Sequence, residues 1–94
     1  MDSPALEGVR QRFITRCRSD LDLIRAFAVD PSQTSEPEVR TVIHRISGIA
    51  GSLGYPDLSN IAKRVDDGFA MASTPAPADV RQLEAELVRV AGNI

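Results

Sequence analysis

Tryptophan is absent from the 94-residue sequence; tyrosine, cysteine and histidine occur once each and phenylalanine three times. So few aromatic faces argue against a surface built to stack on bases or sugars. A lone cysteine has no partner for an internal disulfide, and one histidine with one cysteine falls short of a structural zinc site. No apolar run approaches the roughly 18 residues of a membrane span, and no signal-peptide core follows the acidic start Met1-Asp2. Neither sign of charge dominates: 11 lysines and arginines meet 13 acids, for a net charge of −2. That balance speaks against a basic nucleic-acid binder and, with 43% hydrophobic residues, against a disordered tail. These absences lead us to expect one monomeric, cytoplasmic domain over residues 1–94. Metal, cofactor, nucleic acid and membrane are not expected as its partners, and the start methionine suggests a free-standing protein.

What is present is helical periodicity. Asp30-Pro31-Ser32-Gln33-Thr34-Ser35, Gly54-Tyr55-Pro56 and Ser73-Thr74-Pro75-Ala76-Pro77 break the chain into four pieces. In the first, Leu6, Val9, Phe13, Cys17, Leu21, Ile24 and Ala28 recur at spacings of three and four. Cys17 lies on that stripe and reads as a small core residue. The second opens with Ser35-Glu36-Pro37-Glu38, a capping-box pattern. Its stripe runs Val39, Val42, Ile43, Ile46, Ile49, Ala50, Leu53. The third uses Leu58, Ile61, Ala62, Val65, Phe69 and Ala72; the fourth uses Val80, Leu83, Leu87 and Val90 before Gly92-Asn93. The spacing predicts helices near residues 4–28, 36–53, 57–72 and 78–91, with no strand and no repeat. The expected fold is all-α, an antiparallel up-and-down four-helix bundle. Arg10, Arg12, Arg16 and Arg18 read as solvated flanks of the first helix, and Asp66-Asp67 as surface acids.

The single histidine stands apart from this apolar pattern. On a wheel of 100° per residue, His44 lies roughly 160° from the centre of the second stripe and is expected to face solvent. Ser47, Gly48 and Gly51 follow it on the same side, with Arg40 and Thr41 one turn earlier. An interior helical glycine costs about 1 kcal/mol relative to alanine. Close helix packing is the ordinary reason to bear that cost, but both glycines point away from the stripe. A clearing that lets something approach His44 explains them better. Gly54 reads as a helix C-cap. One exposed imidazole has neither the nucleophile and acid of a hydrolase triad nor the further ligands of a metal site. It suits acceptance of a phosphoryl group: histidine side chains ordinarily titrate at about 6.5, so a solvated ring is mostly neutral and nucleophilic at neutral pH. Nearby cations would assist the spread negative charge of such a transfer.

The run His44-Arg45-Ile46-Ser47-Gly48-Ile49-Ala50-Gly51-Ser52-Leu53-Gly54 resembles the signature of histidine-containing phosphotransfer (Hpt) domains. Tyr55-Pro56-Asp57-Leu58-Ser59-Asn60-Ile61-Ala62 is similar to the family's next helix. The resemblance implies that His44 is a phosphoacceptor, shuttling a phosphoryl group to or from receiver domains of response regulators and hybrid histidine kinases. It also implies that Gly48 leaves room beside the imidazole, and that the receiver, not this chain, holds the magnesium ion. Ser47 stands where the family usually has lysine, which leaves Arg40, Arg45, Lys63 or Arg64 to supply charge. No nucleotide-binding glycine loop accompanies the motif, so a carrier is expected and not a kinase.

Two other readings compete. Ile49 to Ser59 is also similar to the turn of arabinose-activator-type helix-turn-helix domains, whose next helix enters the major groove. Here that helix would bring Asp57, Asp66 and Asp67 toward phosphates beside only Lys63 and Arg64. A helical adaptor that never carries phosphate is the second alternative, kept open by Ser47.

Overall fold

Proline and glycine set the helix boundaries that apolar periodicity leaves open. In the computed structural model, which describes residues 4–72 and 74–92, four α-helices account for most of the chain. They are α1 (Pro4–Val29), α2 (Glu36–Ile49), α3 (Pro56–Ala72) and α4 (Pro77–Ala91), with no strand among the described residues. Met1, Asp2, Ser73, Asn93 and the side chain of Ala72, which the sequence reading used, lie outside the described residues. Asp30 caps a short 3-10 turn, Pro31–Gln33, by accepting from the Ser32 backbone N–H at 3.1 Å. Ser35 caps α2 by accepting from the Glu38 N–H, with Pro37 in the first turn, where its missing N–H costs nothing.

One boundary departs from expectation. The second helix was expected to run to residue 53, but α2 ends at Ile49 and Gly51–Leu53 tightens into a 3-10 turn. Gly54 then adopts φ +96°, the left-handed conformation that glycine takes without strain, and the Tyr55 N–H returns to the Ala50 carbonyl at 2.9 Å.

The neighbouring helices run antiparallel, as the paired contacts show. On α2 and α3, Ser47 meets Ser59, His44 meets Asp66 and Arg40 meets Phe69, one number rising as the other falls. Arg25–Glu84 and Arg18–Ala91 do the same for α1 and α4. The chain packs as a four-helix bundle 41 Å long, about the length of α1 alone at 1.5 Å per residue. All four helices bury apolar side chains between them, among them Ile24, Ile43, Ile46, Leu58, Ile61, Leu83 and Leu87. Phe27 stacks obliquely on Phe69 at one end, and Phe13 on Tyr55 at the other.

The stripe of α1 needs correction. Val9 is exposed, while Phe27 and Asp20, outside the expected stripe, are buried. Arg10 and Arg18 are not merely solvated flanks, since they donate to the carbonyls of Leu53 and Ala91 and so tie α1 to the ends of its neighbours. The contact between α1 and α2 is the narrowest of the four sides of the bundle. Asp20 spans it to Arg45.

Candidate functional site

His44 projects from the middle of α2 with 79% of its side chain exposed. Its Nδ1 lies 3.0 Å from Oδ2 of Asp66 on α3. A carboxylate has no hydrogen to give, so Nδ1 carries a ring proton and donates it, and in the neutral ring Nε2 is the nitrogen with the lone pair. The partner thereby assigns the tautomer. Asp67 is exposed, as a surface acid should be, but Asp66 is only 26% exposed, half-sheltered between the two helices.

The two glycines separate. A Cβ added at Gly48 would meet nothing within 4 Å, so the space beside His44 is open. Gly51 opens the 3-10 turn, where a Cβ would meet Ser59 Oγ at 3.4 Å. Gly51 therefore faces α3, and the clearing rests on Gly48 alone. Ser47 turns its hydroxyl back onto the helix, donating to the His44 carbonyl at 2.7 Å, while its own carbonyl accepts from Ser59 Oγ at 2.9 Å. The Thr41 hydroxyl likewise donates to the Pro37 carbonyl at 2.9 Å.

The cations named from sequence have different surroundings. Arg40 lies over the ring of Phe69, with Cζ 5.5 Å from its centroid. Arg45 is ion-paired with Asp20. Arg64 turns toward α4 and pairs with Asp79 at 3.1 Å. Lys63 stands on α3 between Ser59 and Asp66 in sequence, exposed and without an ion pair among the described residues. A shallow hollow in the surface has Arg16, Arg40, Thr41, His44, Arg45 and Asp66 for its walls. The fold thus gathers His44, Arg40, Thr41 and Arg45 around one depression and sends Arg64 and Gly51 elsewhere. Arg16 and Asp66, both read from sequence as ordinary surface charges, join it.

Behind the hollow, Asp20 is 7% exposed, and Cys17 lies fully buried one turn away on α1. Burial, with the negative charge of Asp20 beside it and only partial relief from Arg45, pushes the Cys17 thiol up to about 12. Such a thiol stays protonated and inert. No cluster of three or more metal-ligating side chains occurs among the described residues. None of the described helices is long and apolar enough to cross a membrane.

The sequence model of the Hpt domain matches residues 8–93, nearly the whole chain. No curated protein and no solved structure matches it. The match spans the segment that resembled a helix-turn-helix, and in the fold that segment joins two antiparallel helices, not a pair crossed at the roughly 90–120° of that motif.

Proposed function

The chain belongs to the Hpt domain family, and from that premise we propose that His44 is the residue that carries the phosphoryl group. The family is one of phosphocarrier modules in two-component signalling, without kinase activity of their own. The observation that carries the assignment is the pairing of an exposed imidazole with the Asp66 carboxylate at its Nδ1. That pairing leaves the Nε2 lone pair to act as nucleophile.

The Nε2 lone pair forms a bond to phosphorus while the bond from phosphorus to the acyl oxygen of the receiver's aspartyl phosphate breaks. The receiver's aspartate leaves with the electron pair as a carboxylate. The ring keeps its Nδ1 proton and so becomes cationic, and Asp66, already accepting that proton's hydrogen bond, stabilises the charge. In the reverse direction the same cationic ring is the leaving group. The donors and acceptors are receiver domains of response regulators and hybrid histidine kinases. The receiver holds the magnesium ion, and this chain needs no cofactor of its own. In-line transfer requires the phosphorus to come within about 3–3.5 Å of Nε2, and Gly48 leaves the space open.

Incubation with a phosphorylated receiver domain tests this reading. Acid-labile, base-stable phosphate should appear on the wild-type protein and be lost in His44→Gln. The variant should keep its stability within about 0.5 kcal/mol, because His44 lies outside the core. Phosphate that persisted on His44→Gln would assign the acceptor role to another residue.

A further inference from the structure

A phosphoryl group on His44 would bring negative charge to a hollow that has three arginines in its walls. Two are already engaged: Arg45 with Asp20 and Arg40 over Phe69. Arg16 has no hydrogen bond or ion pair among the described residues. It rises from α1, the helix across the narrow seam from α2.

The helix register says where Arg16 stands. Asp20 is paired with Arg45, and the two helices run antiparallel, as Arg10 on Leu53 and Phe13 on Tyr55 confirm. One turn toward the start of α1 from Asp20 therefore corresponds to one turn toward the end of α2 from Arg45. That places Arg16 level with Gly48 and Ile49, and Arg16 indeed shares a second hollow with Arg45 and Ile49. On the α2 wheel, Gly48 lies about 40° from His44 and Arg45 about 100°, in the same sense. Gly48 is thus on the α1 side of the imidazole, and the missing side chain lies between His44 and Arg16. On the other side Lys63 is closer in register, yet it is not a wall of the hollow.

We propose that Arg16 receives the phosphoryl group of His44 across the gap left by Gly48. The ligand is a phosphoryl dianion bonded to Nε2, bound by the guanidinium of the opposite helix. This rests on His44 being the phosphoacceptor. A guanidinium has five N–H donors in a planar fork and matches two phosphoryl oxygens at once. Coming from α1, it leaves the face over His44 clear for the partner. In this arrangement Gly48 serves the cation as well as the incoming receiver.

The test uses phosphoramidate, which needs no partner protein. Nε2 bonds to phosphorus, the P–N bond of the reagent breaks, and ammonia leaves with the electron pair. Phosphorylation rates of wild type, Arg16→Gln, Arg16→Lys and Lys63→Gln are compared, with the modified residue mapped by mass spectrometry and melting temperatures recorded. The expected result is a roughly tenfold or greater loss of rate in Arg16→Gln, the scale of one hydrogen bond to a charged group. Arg16→Lys should recover part of that loss, the salt dependence of the rate should flatten in Arg16→Gln, and Lys63→Gln should stay within about twofold of wild type. Unchanged melting temperatures would exclude a structural cause, and the Lys variant separates charge from folding in any case. A wild-type rate in Arg16→Gln with phosphate mapped to His44, or a larger loss in Lys63→Gln, overturns the proposal and leaves the phosphoacceptor reading standing. Absence of phosphate from His44 in wild type overturns both.

Discussion

His44 and Cys17 show how surroundings decide what a titratable side chain can do. Asp66 holds the Nδ1 proton of His44, so the ring presents a single nucleophilic nitrogen. Asp66→Ala removes that hold, and either nitrogen can then carry the proton. Phosphorylation of His44 should slow about tenfold, the worth of one charge-assisted hydrogen bond, with little change in melting temperature. A rate equal to wild type would mean that the ring needs no fixed tautomer. Cys17 illustrates the opposite case, a group silenced by its surroundings. Its folded thiol ionises at about 12 against an ordinary 9.0. The unfolded chain therefore loses this proton first, and the thiol's contribution to stability is complete below pH 9 and lost as pH rises toward 12. Comparison of denaturant midpoints for wild type and Cys17→Ala across that window should show the wild type falling more steeply. At pH 8 a thiol reagent should label Cys17 only on unfolding.

At the scale of the helix, two helical glycines predict opposite outcomes. A Cβ at Gly48 meets open space, so Gly48→Gln should raise stability by up to about 1 kcal/mol while obstructing phosphotransfer. A Cβ at Gly68 would lie 2.9 Å from the Cα of Pro75, where backbone must yield. Gly68→Ala should therefore cost about 1–3 kcal/mol, with phosphotransfer retained in the folded fraction. Melting curves and transfer rates on the two variants separate the roles.

The same scale shows what the sequence made legible. Period and proline placed all four helices within a residue or two, except where α2 yields to the 3-10 turn, because periodicity does not distinguish a tightening helix from a continuing one. Wheel arithmetic placed His44 outward and Gly48 beside it, since both follow from a single helix. It misplaced Gly51 for lack of Ser59, and it did not place Asp66 or Arg16 beside the hollow, because their positions depend on the register between helices. The signal for Asp66 lay in antiparallel pairing alone: with Arg40 set against Phe69, one turn onward in α2 and one turn back in α3 bring His44 to Asp66. Asp20 was harder to find, because a charged residue breaks the apolar pattern that would have marked it as buried.

Across the whole molecule, the stacked pair Phe13–Tyr55, with centroids 5.9 Å apart, joins α1 to the turn between α2 and α3. Because tryptophan is absent and Tyr55 is the only tyrosine, the near-ultraviolet absorbance and emission of the protein come almost wholly from this one ring. Its signal is a local optical gauge at the turn after α2, whereas circular dichroism averages over all four helices. Coincident midpoints from the two probes are the expected mark of a single cooperative transition. An emission change that preceded the loss of helix would locate the first opening where α1 leaves the turn. Phosphorylation of His44, more than two helical turns away along α2, should leave this gauge unmoved, so any brightening or quenching on modification would report that the far end of the bundle had felt the charge.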